Sequence, residues 1–275
     1  IFKNMAHFRW EENVLFNGEI IKATHLPWSY IPYWFVVTTP ILILITGFPG
    51  LVYILHQSVK KWKNIGKDTT HFFIFLNAGL FIVPIVAVII LNSVLYDGWR
   101  HMYFIFPSFI LVGLYLLSQL KFSLIKEKKT ILYIFLAVLL CFEAGFFMIK
   151  NHPNQHVYFN TFVDKDENLK DRMELDYWGL SYRGALEYIL ENDDSNSITI
   201  AFETAVCMKN ATILTAKQRE RLSFTQNMDS ANYFVTNYRW HMVKDSSFSE
   251  TLNYAPFYDL KVDKTSIMTA WKLND

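Results

Sequence analysis

The chain is short of cysteine, of net charge and of any compact catalytic signature. Its 275 residues contain two cysteines, Cys141 inside an apolar run and Cys207 in the more polar half, so a disulfide framework is not what stabilises it. The 26 Lys and Arg nearly cancel the 25 Asp and Glu, leaving a net charge of +1. Nucleic-acid binding needs a concentrated basic surface, whereas the lysine clusters here sit in short loops between apolar stretches, which argues against nucleic acid as a partner. G-x-G-x-x-G, a complete P-loop and G-x-S-x-G are all missing, so nucleotide and serine-hydrolase readings have no support. Gly66-Lys67-Asp68-Thr69 reads as a loop fragment only. At Ile1 there is neither a start methionine nor a charged segment leading into a short apolar core, so no signal peptide is visible. The chain is expected to be the C-terminal part of a longer protein.

What is abundant is apolar surface: 52% of residues are hydrophobic and 17% aromatic, an excess that calls for a solvent other than water. It falls in four runs, Tyr33–Leu55, Phe72–Leu95, Met102–Leu120 and Ile131–Ile149, each near the roughly 20 residues that cross a bilayer core. The expected fold is therefore a polytopic α-helical membrane domain with four transmembrane helices over residues 33–149. An extracytoplasmic or interfacial segment, 1–32, precedes it, and a small extracytoplasmic α/β domain, 150–275, follows. Orientation comes from lysine placement. Lys60, Lys61, Lys63 and Lys67 fill the first loop and Lys121, Lys126, Lys128 and Lys129 the third, while the loop between has Arg100 alone. Positive charge in short loops is retained in the cytoplasm, so the 150–275 domain is expected on the other side. Trp28, Tyr30, Tyr33, Trp34, Tyr96, Trp99 and Tyr103 gather at that outer end as an interfacial belt would. Pro40, Pro49, Pro84 and Pro107 predict kinks, each by removing a backbone donor.

Past Lys150, Ser181 is placed to cap a helix running to about Leu190, and Ser197–Phe202 and Tyr233–Asn237 read as strands. Phe257–Val262 and Ile267–Leu273 form a predicted hairpin.

Arg100 is the most informative candidate. It stands in Tyr96-Asp97-Gly98-Trp99-Arg100-His101-Met102-Tyr103, at the expected outer mouth of the third span. A guanidinium at headgroup depth can make a bidentate, charge-assisted contact to a lipid phosphate, or it can simply snorkel and pair with Asp97. His101 could assist with phosphate or be structural. Glu143 lies within the fourth run, where a carboxyl must face the bundle interior and find a partner. Arg100 and His101 are candidates, and so is the alternative of a neutral acid that holds helices together. Glu11, Glu12, Glu19 and Asp97 are acidic groups near the expected outer surface. His152 and His156 have metal-ligand spacing, but Pro153 between them argues for a loop and no third ligand is evident. Asn210-Ala211-Thr212 is a glycosylation sequon on the expected outer side.

Leu26-Pro27-Trp28-Ser29-Tyr30-Ile31-Pro32 followed by Thr38-Thr39-Pro40, then Arg100-His101-x-Tyr103-Phe104-x-x-Pro107, resembles the C-terminal half of polytopic GT-C glycosyltransferases. This superfamily includes protein mannosyltransferases and aminoarabinose transferases. Val157-Tyr158-Phe159-Asn160 and Asp176-Tyr177-Trp178-Gly179-Leu180-Ser181-Tyr182-Arg183 resemble the outer domain of bacterial members, and all these stretches cover about a third of the chain. The resemblance implies inverting transfer of a sugar from a polyprenyl-phosphate donor to a protein, lipid or glycan acceptor at the outer membrane face. It gives Arg100 the role of holding the phosphate leaving group and leaves the acidic catalytic residue upstream of Ile1. No cofactor is evident, and the chemistry is compatible with a divalent cation. The membrane is the plasma membrane in a bacterium, the endoplasmic reticulum in a eukaryote. Stacking of Trp28, Tyr30 or Trp99 on a sugar would fit the same reading. The competing readings are a transporter subunit and a non-enzymatic membrane-anchored binding module.

Overall fold

The structure, a computed structural model, describes residues 10, 12–119, 129–239 and 255–273. These fall into two compact units. One holds residues 23–150 with 158–163, the other 12–22, 151–157 and the chain from 164 onward.

The first unit is helical. Helix α1 spans Tyr30–Thr38, α2 Ile41–Lys60 and α3 Thr69–Ile90; a 3-10 turn, Arg100–Ile105, runs into α4, Phe106–Gln119, and α5 spans Lys129–Lys150. Three stretches, Ile41–Lys60, Thr69–Ile90 and Arg100–Gln119, are long and apolar enough to cross a membrane. The fourth apolar run forms the 22-residue α5. Ile45, Val52 and Val59 on α2, and Phe73, Leu80 and Val83 on α3, are exposed. A surface of this kind is ill suited to water and well suited to lipid.

The first apolar run is not one rod. It breaks at Thr39–Pro40, where Thr39 is extended at φ −98° and ψ 133°. Proline lacks the amide hydrogen that would continue the helix and forces the residue before it out of the helical region. Pro49 and Pro84, by contrast, lie inside α2 and α3. Pro107 is the second residue of α4, near the end of the helix where a missing amide hydrogen costs little. Nor are the interfacial aromatics uniformly a belt. Trp28 and Tyr103 are exposed, whereas Tyr30, Trp34 and Trp99 are buried. The last three are committed to ring packing within the unit. Lys121, Lys126 and Lys128 lie outside the described residues.

At the centre of the bundle Phe35, Phe81 and Phe109 meet with ring centroids 4.7–5.0 Å apart. Two glycines let α2 approach α4 at this level. A Cβ on Gly47 would stand 2.3 Å from the Phe109 ring, and one on Gly50 2.7 Å from the Val112 carbonyl oxygen. Small residues at such crossings let helix backbones approach closely.

The second unit is built on a five-stranded sheet in the order β4-β3-β5-β7-β6. Its strands are β3 Ile198–Phe202, β4 Leu222–Thr225, β5 Tyr233–Thr236, β6 Tyr258–Val262 and β7 Thr265–Lys272. Strand β3 runs parallel to β4 and β5, and β7 antiparallel to β5 and β6. Alternation sends Ile198, Ile200, Phe202, Tyr233, Val235, Met268 and Ala270 to one face. There they pack with Tyr182, Leu186 and Ile189 of helix α7, Ser181–Asn192, α6 being the single turn Leu169–Arg172. Ala201, Phe234 and Trp271 point to the other face. The expected strands at 197–202 and 233–237 and the closing hairpin are thus present, while β4 is an addition. A further hairpin, β1 Asn13–Phe16 and β2 Glu19–Lys22, lies in the stretch expected to be only an interfacial segment. Its turn residues Asn17 and Gly18 both have positive φ, 52° and 85°, which a tight two-residue hairpin requires.

Packing at the glycine crossing gives a direct test. Gly50→Val should lower the thermal midpoint of the detergent-solubilised protein by the equivalent of about 1–3 kcal/mol. Gly79→Ala in α3, where a Cβ meets nothing within 4 Å, should leave it unchanged or raised.

Candidate functional site

A helix broken inside an apolar bundle leaves carbonyls at one end and amide hydrogens at the other without helical partners. Each costs several kcal/mol if it is left unsatisfied in hydrocarbon, on the order of the full desolvation penalty. Here two side chains from distant sequence close the gap between α1 and α2. Asn160 donates through Nδ2 to the carbonyls of Val36 at 2.6 Å and Thr39 at 2.7 Å. Its own backbone N–H reaches Val37 O at 2.9 Å. Glu143, on α5, accepts the Ile41 N–H at 2.9 Å through Oε2 and the Tyr158 hydroxyl at 2.5 Å through Oε1. The carboxyl thereby caps a helix start that Pro40 cannot cap. Glu143 does find partners, as expected of an acid in an apolar helix, but they are a backbone amide and a phenol rather than Arg100 or His101.

Thr38 ties this break to the second polar cluster. Its hydroxyl donates to Trp34 O at 2.6 Å and accepts the Trp99 indole N–H at 2.7 Å. The loop leading to Trp99 is pinned by Tyr30, whose buried hydroxyl donates to Tyr96 O at 3.3 Å and accepts the Gly98 N–H at 2.9 Å. Gly98 takes φ +69°, a conformation that glycine adopts without strain. On this platform the Arg100 guanidinium lies over the Tyr96 ring, 4.6 Å from its centroid. The His101 ring meets Tyr96 at 4.5 Å, and Tyr103 packs edge-on against Trp99 at 4.7 Å. Arg100 is half-buried, His101 exposed and Asp97 buried. Tyr30, Asp97, Arg100, His101 and Tyr103 are therefore brought together by one loop. The Arg100–Tyr96 pairing is a cation–π contact, and the Arg100 Nε is itself buried in it.

In the same unit a cleft of about 170 Å³ is lined by Thr24, Leu26, Trp28, Tyr30, Ile89, Asn92 and Ser93 among others. Its wall is mixed, with aromatic and aliphatic carbon interrupted by short hydroxyls and an amide. Trp28, 72% exposed, stands at this cleft.

The second unit has a polar cluster that sequence reading missed. Asp176, fully buried, accepts from His156 Nε2 at 2.8 Å and from the Leu180 and Ser181 N–H groups at 3.0 Å each. It also accepts the Ser181 hydroxyl. Asp176, not Ser181, therefore serves the start of α7, and Ser181 is the first helical residue. Burial alone would raise the Asp176 carboxyl, but the His156 and Ser181 donors outweigh it and hold the group below its ordinary range. Nearby, Arg239 pairs with Glu174 at 2.9 Å and lies over Tyr177 at 4.5 Å. The signal that was present in sequence is Asp176 five residues before Ser181. It was hidden because a cap is usually sought at the residue adjoining the helix.

Of the remaining candidates, Glu12 and Glu19 are exposed and Glu11 lies outside the described residues. His152 bonds Gln155 at 2.6 Å while His156 bonds Asp176, so the two imidazoles serve separate local contacts. Among the described residues no group of three His, Cys, Asp or Glu side chains converges. Asn210 of the sequon is buried in the helix Val206–Ala211, with Nδ2 donating to Val206 O at 3.0 Å. Cys207 is buried in the core and burial pushes its thiol up, which makes it a poor nucleophile.

Removing one brace should cost more than its own hydrogen bonds, because the partner groups stay buried. Asn160→Ala and Glu143→Ala are each expected to destabilise the solubilised protein by about 1–3 kcal/mol, with Tyr158→Phe milder. Thermal unfolding followed by circular dichroism measures this. The Asp176 carboxyl contributes stability above the ordinary carboxylate range, near 3.8, and loses it as pH falls through its lower folded value. Asp176→Asn should therefore flatten the acid limb of the stability profile.

No family model, curated protein or solved structure matches this chain.

Proposed function

We propose that this chain is the C-terminal portion of an integral membrane glycosyltransferase that moves a sugar from a polyprenyl-phosphate donor to an acceptor at the outer membrane face. All four apolar helices, α5 included, cross the bilayer in this reading, and the sheet unit stands on the non-cytoplasmic side. The observation that carries it is Arg100: a guanidinium held on the Tyr96 ring, next to His101, at the end of a helical stretch long enough to span a membrane.

In such a transfer an acceptor oxygen forms a bond to the anomeric carbon while the bond from that carbon to the phosphate oxygen breaks. The phosphate leaves with the electron pair, and the acceptor's proton passes to a base. Negative charge grows on the leaving phosphate, and a preorganised cation at headgroup depth stabilises that charge more than it stabilises the ground state. Arg100 supplies the cation, with His101 as an additional donor. The 170 Å³ cleft and Trp28 offer a surface for the sugar or the first lipid carbons. The base is assigned to an acidic residue ahead of Ile1, and no residue here is assigned to a divalent cation. A transporter subunit is the second reading. The broken α1–α2 helix favours it, since interrupted helices commonly line substrate paths.

Membranes containing the full-length protein, supplied with radiolabelled polyprenyl-phosphate sugars, should transfer label. Arg100→Ala should lower turnover at least about tenfold, the size of one lost charge-assisted contact, with Arg100→Lys recovering part and thermal stability unchanged. Unaltered turnover in Arg100→Ala would end the assignment, and donor-independent flux of a solute through wild-type vesicles would favour the transporter.

A further inference from the structure

The loop between α2 and α3 lies at the opposite ends of those helices from the Thr39–Pro40 break, and neither the sugar-transfer reading nor the transporter reading uses it. It is a short 3-10 turn, Trp62–Lys67, joining two helices that are each long and apolar enough to cross a membrane. A loop so short between two spans must lie at the bilayer surface. Lys60, Lys61, Lys63 and Lys67 are all exposed on it. Asp68 is the only acidic residue between Lys60 and the start of α3, and its carboxylate is engaged in capping α3 through the His71 N–H at 3.0 Å. Capping leaves the Asp68 charge in place, so four lysines against one aspartate give this loop a net positive charge.

The loop is also held in place. The last turn of α2 and the first turn of α3 are joined by the contact between Ser58 Oγ and His71 Nε2 at 3.2 Å, with both residues buried. The Lys61 N–H is fixed to Gln57 O at 2.9 Å. Trp62 is 68% exposed, an amphipathic ring of the kind that settles at headgroup level.

We infer that this loop is a binding surface for anionic phospholipid headgroups, with four ammonium groups facing lipid phosphates and Trp62 anchoring the loop at the interface. Charge complementarity identifies the occupant. Four lysines against a single aspartate, fixed at the surface between two spans, attract anionic lipid from the adjoining leaflet, and the attraction must be screened by salt because the groups are exposed. The inference requires membrane insertion but not sugar transfer, so it stands or falls separately from the role of Arg100.

The test is lipid retention by the full chain, purified in micelles doped with equal amounts of phosphatidylglycerol and phosphatidylcholine and examined by native mass spectrometry. Wild type should retain phosphatidylglycerol over phosphatidylcholine by about threefold or more at low salt, falling toward parity at high salt. The K60Q/K61Q/K63Q/K67Q variant should sit at parity, and K60R/K61R/K63R/K67R should keep the preference. Parity in wild type, or a preference that survives high salt, would overturn the inference. So would a glutamine variant that folds and still prefers the anionic lipid. Should the glutamine variant not fold, the wild-type salt dependence and the arginine variant decide the matter.

Discussion

The junction of α1 and α2 is arranged around one problem, a proline that interrupts a helical stretch at a buried point of the bundle. Pro40 fixes the break, and the break leaves carbonyls of α1 and an amide of α2 that must be satisfied by protein. Asn160 takes the carbonyls and Glu143 takes the Ile41 amide. Both side chains come from more than a hundred residues downstream, so closing the gap ties α5 to the start of α2 and the Tyr158–Asn160 segment to α1. Tyr158, held by Glu143, packs edge-on against Phe147 of α5 at 5.1 Å, which buttresses the same junction from the apolar side.

The link from this junction to the Arg100 loop runs through Thr38. By accepting the Trp99 indole N–H while donating back into α1, it fixes the loop that carries Arg100 and His101. Tyr30 pins the same loop one step earlier, at Tyr96 and Gly98. The cation is therefore not a floppy interfacial arginine. The loop that carries its aromatic support is tied to the broken helix at two points, through Tyr30 and through Thr38.

Much of this arrangement was legible in composition and little of it in local pattern. The four apolar runs announced helices because length and hydropathy alone decide that question, and Glu143 was conspicuous because a carboxyl in such a run must have a partner. That partner was not legible, since Ile41 lies 102 positions away and a backbone amide leaves no mark in sequence. The break was hidden for a related reason: Pro49 and Pro84 are tolerated inside their helices, so proline by itself did not single out Pro40. In the sheet unit β3, β5 and the β6–β7 hairpin were readable from alternation. The four-residue β4 was too short and too polar to register. The β1–β2 hairpin carried a clear Asn17-Gly18 turn signal but sat in a stretch attributed to the membrane surface. Asp176 and His156 lie 20 positions apart, and nothing in the stretches that contain them marks the two as partners.

The most direct measurement is phosphorus NMR of a polyprenyl phosphate titrated with the solubilised protein, with the matching polyprenol as competitor. A lipid phosphate held by Arg100 should give a saturable shift that the uncharged polyprenol does not displace at equal concentration. An unshifted phosphate, or displacement by polyprenol as effective as by the phosphate itself, would mean that this end of the bundle recognises only the chain and that the cation has another purpose.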